Sequence, residues 1–364
     1  MSIENLRAQI DRIDAQMVGL LNRRVRAAQA IGKLKNATGG PVYAPQREAQ
    51  IHRRLASLNK GPLPADSLRA IYTEIISACR ASERKLHVAF LGPEGTFSHQ
   101  AARSQFGASF DGVPAASISQ VFSEVEAGRA DYGVVPIENS SEGGVGATKD
   151  AFVDSDLKVC GEFFLRVHHA LMAQPGVRRF TSIYSKAEVF GQCRAFLAAR
   201  YPDVELRNTS STAEAARLAA RQKTAAAIAS REAAPLHGLK ILHSAIEDNP
   251  VNVTRFLVLS RSLVPPSGND KTSLLCFIRD EVGALFHILT PLKNAKINMT
   301  KIESWPSRRK PWDYCFFIDF LGHCEDPAVA KTLSILSRYC KEVKLLGSYP
   351  AGAPLEPRSH PGGK

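Results

Sequence analysis

The chain has 364 residues, of which 44% are hydrophobic, and a formal net charge of +12; this length predicts two or three domains with enough apolar side chains for their cores. No apolar run approaches the ~20 residues of a membrane-spanning helix, and the charged first residues are unlike a signal peptide, which argues against membrane association and export. The seven cysteines form no C-x-x-C pair, which predicts reduced thiols in the cytoplasm and no metal site.

The positive charge is dispersed along the chain. Lys and Arg residues occur throughout the sequence without a long basic run, whereas nucleic-acid-binding surfaces are usually clustered and basic. Nucleic acid is therefore the less favoured partner. Individually buried cations that bind a small, multiply anionic substrate are the favoured interpretation.

The first segment is predicted to be helical. Residues 3–36 keep an apolar stripe at alternating three- and four-residue steps, which is typical of an amphipathic helix, and "TGGP" at 38–41 ends it. Further helices are predicted from about Pro45 to Leu58 and from about Ala65 to Arg84. At 1.5 Å per residue the first helix is roughly 50 Å long, more than two shorter helices can cover. We therefore expect a partner subunit to pack along it.

One residue of that stripe is a cation. Arg24 follows Leu20 on the apolar face, where an unpaired charge costs several kcal/mol or more if it is buried. A snorkelling side chain is one interpretation. The other is a cavity for an anion with more than one carboxylate, because further cations lie nearby: Arg7 flanks the stripe, Lys35 ends it and Arg47 opens the second helix.

The segment resembles the all-helical chorismate mutases, which form intertwined dimers. The elements that carry the resemblance are Arg7, "RR" at 23–24, "GKLK" at 32–35, "RE" at 47–48, and Cys79 with Glu83. The resemblance implies that Arg24, Arg47 and the partner's copy of Arg7 hold the two carboxylates of chorismate. It also implies that Lys35 and Glu83 face the ether oxygen and that Glu48 faces the ring hydroxyl.

Three positions depart from the common pattern of that family. Cys79 stands where serine is frequent, Ala44 where some members have aspartate, and Glu83 where many have glutamine. A Claisen rearrangement needs a folded substrate and stabilised charge on the departing oxygen, with no nucleophile, so the first two departures should leave activity. Glu83 can donate to that oxygen only when it is protonated, which predicts that mutase activity falls as pH rises.

From Leu86 the pattern changes to strands separated by helices. "LHVAFLG", "ADYGVVPIENS", "FTSIYS", "VELRNTSST" and "AAAIAS" are predicted strands, and "AEAARLAARQ" is a predicted helix, which together indicate an α/β layout. Polar loops interrupt it. They are "GPEGTFSHQAA" at 92–102, "PIENSSEGG" from 136, "FGQC" at 190–193, predicted to start a helix, and "NVTRF" at 252–256. Ligands of open α/β folds bind at strand ends, so these loops are expected to converge.

These elements in this order resemble the prephenate dehydratases over nearly all of residues 86–261. The resemblance implies an α/β fold of two lobes, like a type II periplasmic binding protein, with the site in the cleft. It implies that Thr254 is the acid donor to the departing hydroxyl of prephenate. Binding and orientation of the dianion are then assigned to Glu138, Asn139, Ser140, Gln192 and Arg255, with Thr96 and Ser98 nearby.

The dehydratase reaction requires little other chemistry. Loss of CO2 and water makes the ring aromatic, so the enzyme protonates a poor leaving group and holds the carboxylate in an apolar place; no cofactor is expected. "YSKAEVFGQC" departs from the His-Pro of many members, through Lys186 and Ala187. His168 and His169 lie in the strand-like run "FLRVHHALMA", where a structural role is favoured over that of a base.

The last segment is predicted to be a βαββαβ unit. Residues 271–350 contain "GALF" at 283–286 and "ESWP" at 303–306, which resemble elements of ACT regulatory domains. The resemblance implies a ferredoxin-like α+β domain that pairs across a dimer and binds phenylalanine through Gly283, Ala284, Leu285, Glu303 and Ser304. Trp305 replaces the usual arginine of that family.

The order of the segments resembles the bifunctional chorismate mutase/prephenate dehydratase family, which implies an isomerase and a lyase of phenylalanine biosynthesis in one chain. The expected boundaries are 1–85 for the helical domain, 86–261 for the dehydratase, 262–270 for a linker, 271–350 for the ACT domain and 351–364 for a disordered tail. Two alternatives stay open: a dehydratase whose helical domain is inactive and only dimerises, and a cytosolic amino-acid sensor without turnover.

Overall fold

The computed structural model describes residues 2–38, 40–279, 281–307 and 313–352. Its contacts divide the chain into two compact units. One unit consists of Met1–His87 with Arg103–Asp111, and the other of Val88–Ala102 with Gly112–Lys364. Most of the predicted tail lies outside the described residues.

The first unit is helical, as predicted. Its helices are α1 (Ile3–Thr38), α2 (Pro45–Leu58) and α3 (Ala65–Glu83). α2 begins at a proline, which suits the first helical turn because no backbone N–H is needed there. The apolar stripe along the first half of α1 is left exposed. Its residues are Ile3, Leu6, Ile10, Ile13, Met17 and Leu20.

The second unit begins with two α/β lobes, as predicted. Their strands are β1 (His87–Leu91), β2 (Asp111–Ala115), β3 (Tyr132–Asn139), β4 (Gly143–Gly144), β5 (Lys158–Arg166), β6 (Ala170–Ala173), β7 (Ser182–Ser185), β8 (Glu205–Asn208), β9 (Ala225–Ala229), β10 (Lys240–Ser244) and β11 (Val253–Ser260). Their helices are α4 (Phe97–Phe106), α5 (Ile118–Glu126), α6 (Gly146–Asp154), α7 (Ala187–Gln192), α8 (Arg194–Arg200), α9 (Thr212–Ala219) and α10 (Ala233–Leu236).

Each lobe is built on one sheet. The first sheet has the order β2-β1-β3-β11-β5, with β4 beside β3, and the second has the order β10-β6-β9-β7-β8. The chain crosses from the first lobe to the second after β5 and returns before β11. Both crossings therefore lie between the lobes, where residues from either side can meet.

The remainder of the second unit has the predicted βαββαβ order. It consists of β12 (Asp270–Ile278), α11 (Ala284–Asn294), β13 (Met299–Pro306), β14 (Tyr314–Leu321), α12 (Pro327–Tyr339) and β15 (Cys340–Pro350). The sheet order is β13-β14-β12-β15, the ferredoxin-like arrangement expected from the sequence.

This C-terminal sheet and the first lobe share one apolar core. Leu275 and Phe317 belong to the same buried cluster as Val159 and Leu257. Asp270, which was predicted to lie in the linker, is the first residue of β12 and is buried. The C-terminal domain is thus packed against the dehydratase-like domain rather than suspended from it.

Candidate active sites and regulatory domain

A cavity of about 770 Å³ opens between the two lobes. Thr96, Phe97 and Ser98, at the start of α4, line it together with polar residues of both lobes. The first lobe contributes Asn139, Asn252 and Thr254, and the second contributes His169 and Gln192. The polar loops that the sequence placed at strand ends therefore do converge, and "PIENSSEGGV" is polar because part of it lines this cleft.

The hydroxyl of Thr254 has a defined direction. Asn139 lies opposite Thr254 on the neighbouring strand, and its Nδ2 donates to Thr254 Oγ1 at 2.8 Å. The Oδ1 of Asn139 accepts from the backbone N–H groups of residues 141 and 142, which fixes the orientation of the amide. Because Oγ1 accepts from Asn139, its own hydrogen is available to a ligand in the cavity.

Gln192 bridges the two lobes. Its Oε1 lies 2.6 Å from His169 Nε2 and accepts from Asn252 Nδ2 at 3.3 Å. Its Nε2 donates to Glu142 Oε1 at 2.7 Å. The sequence "FGQC" ends α7 instead of starting a helix, because α7 stops at Gln192 and α8 begins at Arg194.

Thr96 and Ser98 also line the cavity. Thr96 Oγ1 donates to the carbonyl of Leu91 at 2.9 Å and accepts from the N–H of His99 at 3.3 Å. This accepting bond caps the first turn of α4. The side chain of Thr96 thus joins the end of β1 to the start of α4, and Ser98 presents a buried hydroxyl at the same place.

Glu138 and Arg255 lie on the opposite face of the sheet from the cleft. They are cross-strand neighbours, and successive residues of a strand point to opposite faces. Glu138 pairs with Lys301 at 2.7 Å, and Arg255 pairs with Glu162 at 2.7 Å and Asp319 at 2.6 Å. Neither side chain lines the cavity, so the expectation that these two residues bind the dianion stays a prediction that this arrangement does not support.

Ser140 is likewise absent from the residues that line the cavity. Its Oγ donates to the carbonyl of Val251 at 3.1 Å and accepts from the N–H of Val253 at 3.0 Å. Ser140 therefore fastens the end of β3 to the segment that enters β11. It supports Asn139 and Thr254 without facing the cavity itself.

Sequence reasoning missed several residues of the cleft. Glu142 and Asn252 lie inside the quoted motifs but were given no role, and His169 was interpreted as structural. His169 lines the cavity, and burial lowers the pKa of its imidazole, although a hydrogen bond with Gln192 opposes this. The pair "HH" in a strand-like run carried no signal that distinguished His169 from His168, which pairs with Glu247.

The helical unit brings together most of the residues expected to bind chorismate. Arg24 Nη1 lies 2.8 Å from Cys79 Sγ. Burial raises the pKa of Glu48, while Arg80, Lys35 and Arg24 attract its ionised form and oppose this shift. Arg80, which the sequence did not single out, pairs with Glu48 at 3.0 Å.

Glu83 reaches the same region because α1 has a glycine there. A Cβ on Gly32 would lie 2.7 Å from Cγ of Glu83, so only glycine admits this side chain without displacement. Oε2 of Glu83 is buried and has no hydrogen-bond partner among the described residues. Arg7 and Arg47 are exposed, and the expected role of Arg7 depends on a second subunit.

The residues expected to bind phenylalanine lie on two elements. Gly283, at φ +81, caps the start of α11, followed by Ala284 and Leu285. Glu303 and Ser304 are neighbours on β13 and point to opposite faces. Glu303 forms ion pairs with Lys149 and with Lys301, so its carboxylate is directed at the dehydratase-like domain.

Trp305 joins the same contact. Its ring lies under the ammonium of Lys149, 4.7 Å from the ring centroid, and its Nε1 donates to Asp150 Oδ1 at 2.9 Å. Both Lys149 and Asp150 belong to α6, which follows the polar loop after β3. The residue that replaces the usual arginine thus packs between two domains.

Within the described residues there is no cluster of side chains suited to a metal ion, and none of their helices is long and apolar enough to cross a membrane. A two-lobed α/β domain with polar groups converging in its cleft, followed by a ferredoxin-like domain, defines the class of small-molecule enzymes with type II periplasmic-binding-protein architecture and an ACT domain. The helical unit adds a second, separate cluster of cations.

Comparisons with known proteins identify the family. Family models match residues 6–84 as chorismate mutase type II, 88–263 as prephenate dehydratase and 272–338 as an ACT domain. A bifunctional chorismate mutase/prephenate dehydratase of Stutzerimonas stutzeri is 43% identical over 355 residues, covering 96% of this chain and 97% of that protein. The corresponding protein of Aquifex aeolicus (strain VF5) is 43% identical over 353 residues, covering 96% and 98%.

A solved structure is similar to most of the chain. It is a prephenate dehydratase of Arthrobacter aurescens in complex with L-Phe, 35% identical, with a TM-score of 0.68 over 73% of this chain and 90% of that one. The chain belongs to the bifunctional chorismate mutase/prephenate dehydratase family. The main interpretation of the sequence is thereby confirmed over the two alternatives.

Proposed function

We propose that the helical unit rearranges chorismate to prephenate and that the cleft converts prephenate to phenylpyruvate, CO2 and water. The observation that carries the second step is the hydrogen bond from Asn139 to Thr254, which leaves the hydroxyl hydrogen of Thr254 for the substrate. The full-length relatives, both bifunctional by name, support the pairing of the two reactions in one chain.

In the cleft, Thr254 donates to the hydroxyl that departs from the ring. Electrons of the breaking bond to the carboxylate flow into the ring, which becomes aromatic as the C–O bond breaks. The hydroxyl leaves as water, CO2 leaves as a neutral molecule, and the proton consumed is replaced from solvent. Apolar side chains of Phe97, Pro136 and Phe256 line the cavity. Apolar surroundings disfavour the charged carboxylate relative to neutral CO2 and so favour decarboxylation.

Thr96, Ser98, Asn139 and Gln192 are the residues that we propose contact prephenate, since all of them line the cavity. Glu138, Ser140 and Arg255 support the strands from outside it. In the helical unit, Arg24, Lys35, Arg47 and the partner's Arg7 bind the carboxylates of chorismate, and Glu83 faces the ether oxygen. Cations placed around a developing negative charge stabilise the transition state without proton transfer.

We further propose a homodimer or larger homo-oligomer. The exposed apolar stripe of α1, with Ile3 at 69% and Ile10 at 56% exposure, supports a partner helix there. Phenylalanine as an effector is supported by the L-Phe complex of the Arthrobacter aurescens relative, and free thiols at all seven cysteines suit the cytoplasm. No cofactor is assigned. Residues 1–85, 86–261 and 271–350 are the proposed domains, with 262–270 between the last two.

A coupled assay tests the proposed function. Purified full-length protein is given chorismate, and loss of chorismate is followed together with appearance of phenylpyruvate. Arg24→Ala should stop the first reaction while added prephenate is still converted, since the two sites lie in different units. Failure of the wild-type protein to produce phenylpyruvate from either compound would refute the proposal.

A further inference from the structure

His169 is a buried imidazole that touches the cleft network without an assigned role. It is 1% exposed, lies in the first crossing between the lobes and packs edge-on against Phe97, with ring centroids 5.3 Å apart. Its backbone N–H donates to Glu247 Oε2 at 2.9 Å. Its Nε2 meets Gln192, whereas its Nδ1 is buried without a partner among the described residues.

The directions of the hydrogen bonds around Gln192 can be deduced from both ends of the network. At one end, two backbone N–H groups force Oδ1 of Asn139 towards them, so its Nδ2 faces Thr254 and Asn252. Asn252 therefore accepts through Oδ1 and presents Nδ2 to Gln192. At the other end, the carboxylate of Glu142 when ionised can only accept, so it takes the N–H of Gln192.

Both ends thus direct Oε1 of Gln192 at His169. A carbonyl oxygen accepts and does not donate, so the 2.6 Å contact requires a hydrogen on His169 Nε2. A neutral imidazole has one N–H, which leaves Nδ1 as a bare nitrogen. Nδ1 has no acceptor among the described residues, so the neutral form with hydrogen on Nε2 is the form that this site satisfies.

We propose that His169 is a positioning residue of the dehydratase: held as the neutral Nε2–H tautomer, it acts with Glu142 and Asn252 to fix the amide of Gln192 across the cleft. This inference rests on the proposed function, in which Gln192 contacts prephenate. Without the His169 donor, Oε1 of Gln192 keeps only the long contact from Asn252, and the amide is free to rotate. A rotated amide would turn its carbonyl oxygen, instead of the second N–H of Nε2, towards the anionic substrate.

Charged neighbours of His169 act in opposing directions. Burial lowers the pKa of the imidazole and His168 acts in the same sense, whereas the hydrogen bond with Gln192 and the charges of Glu247 and Glu142 raise it. The net direction is downward, which agrees with the unpartnered Nδ1. The imidazole of His169 therefore gains a second proton at a lower pH than an ordinary histidine does.

The first test measures the tautomer directly in the full-length wild-type protein. Nitrogen NMR of ¹⁵N-histidine-labelled protein at pH 7 to 8 should give one buried imidazole with hydrogen on Nε2 alone, assigned by its absence in His169→Gln. A signal for hydrogen on Nδ1, or for the doubly protonated ring, would overturn the inference. This measurement does not depend on any variant being active.

The second test separates positioning from structural support. His169→Leu should lower dehydratase kcat/KM about tenfold or more, whereas His169→Gln, which keeps an N–H donor, should lose less than about threefold. His243→Leu is the matched control in the same lobe, because His243 pairs with Tyr201, which does not line the cavity. Thermal unfolding of each variant, followed by circular dichroism, reports whether the second unit is folded.

A double-variant cycle then asks whether His169 acts through Gln192. His169 and Glu142 both bind Gln192 but not each other, so His169→Leu with Glu142→Leu should lose at least about threefold less than the product of the single losses. Strict multiplication of the losses, as expected for His243→Leu with Glu142→Leu, would overturn the inference. If the wild-type protein does not convert prephenate, the proposed function fails instead, whatever the tautomer.

Discussion

At the scale of single residues, the hydrogen bonds within the protein determine which polar groups are left to bind a substrate. Thr254 and Arg255 are adjacent, yet one presents its hydroxyl to the cleft and the other is held by Glu162 and Asp319. Asn139 is committed at all of its polar atoms, which makes it a fixed donor to Thr254. Fixed donors cost no reorganisation when charge moves, and this is the main requirement for catalysis by electrostatics.

Thr254→Ala should abolish dehydratase turnover, a loss of at least ~100-fold in kcat, because it removes the hydroxyl that Asn139 holds in the cleft as the proposed acid. Mutase activity should stay unchanged, since its residues lie in the other unit. Thr254→Ser is the matched control, because it restores a hydroxyl on the same atom. Production of phenylpyruvate by Thr254→Ala at close to the wild-type rate would contradict the role of this residue.

Glu83→Gln should raise mutase kcat/KM several-fold. Oε2 of Glu83 is buried and has no partner among the described residues, and a carboxylate there would repel the negative charge that develops on the ether oxygen. The amide of glutamine donates a hydrogen bond to that oxygen instead. Assay of both proteins with chorismate measures the difference, and equal kcat/KM values would show that Glu83 does not face the ether oxygen.

Strands and helices decide which residues meet. Alternation along β11 sends Thr254 into the cleft and Arg255 into a buried network with Glu162, Asp319 and Tyr349. The helical period of α1 likewise places its apolar side chains on one face, but those of the first half are left exposed by the rest of the unit. Regular secondary structure thus separates the catalytic, structural and assembly roles of neighbouring residues.

Arg255→Leu should destabilise the second unit by about 3–5 kcal/mol, because it leaves the buried carboxylate of Asp319 without its cation and leaves Glu162 with Lys271 alone. Arg129→Leu is the matched control: Arg129 pairs with Glu124 at 2.7 Å, but its side chain is 61% exposed, and such pairs contribute about 0–1 kcal/mol. Urea unfolding followed by circular dichroism measures both. Equal midpoints for the two variants would mean that the buried network does not hold the domains together.

Ile13→Glu should dissociate the proposed dimer and reduce mutase activity, because it places a charge in the middle of the exposed apolar stripe of α1. At about 100° per residue, Ala15 lies on the opposite face of the same helix, so Ala15→Glu is the control with the same new charge. Sedimentation velocity and mutase rates report the two effects. A dimer of unchanged stability in Ile13→Glu would place the interface elsewhere.

At the scale of the whole molecule, the C-terminal domain contacts α6, the helix that follows the polar loop after β3. Glu303 and Trp305 hold Lys149 of α6, and the loop before α6 supplies Glu142 to the cleft. β13 is thus linked to Gln192 through α6 and the loop that carries Glu142. We propose that an effector bound to the C-terminal domain acts on the dehydratase through this contact.

Lys149→Met should weaken inhibition by phenylalanine several-fold while leaving most dehydratase activity. The change removes the ion pair with Glu303 but keeps a long apolar side chain over Trp305, and Glu303 still has Lys301 at 3.3 Å. Lys158→Met, which loses a contact of Nζ with the Leu345 carbonyl, is the control at the same domain contact. Inhibition curves that coincide for wild type and Lys149→Met would remove this route.

The sequence by itself was sufficient for the helices of the first unit, for several strands of the α/β lobes, for the order of the C-terminal elements and for the family. The 3.6-residue period of α1, the apolar strand β3 and the βαββαβ order are local patterns, and each element formed as its own residues predict. The motifs "PIENS" and "NVTRF" can be read directly from the sequence, and their resemblance to the family predicted that Asn139 and Thr254 belong to the site. Neither motif specified which of its side chains face the cleft.

Only the tertiary structure decided which polar residues share a cavity. The place of β11 between β3 and β5 and the packing of the C-terminal sheet on the first lobe decided that the sheet face with Glu138 and Arg255 is the one away from the cleft. The crossing between the lobes brought His169 to Gln192, which is 23 positions away in the chain. Such meetings depend on strand order and on contacts distant in sequence, and no local period or motif carries that information.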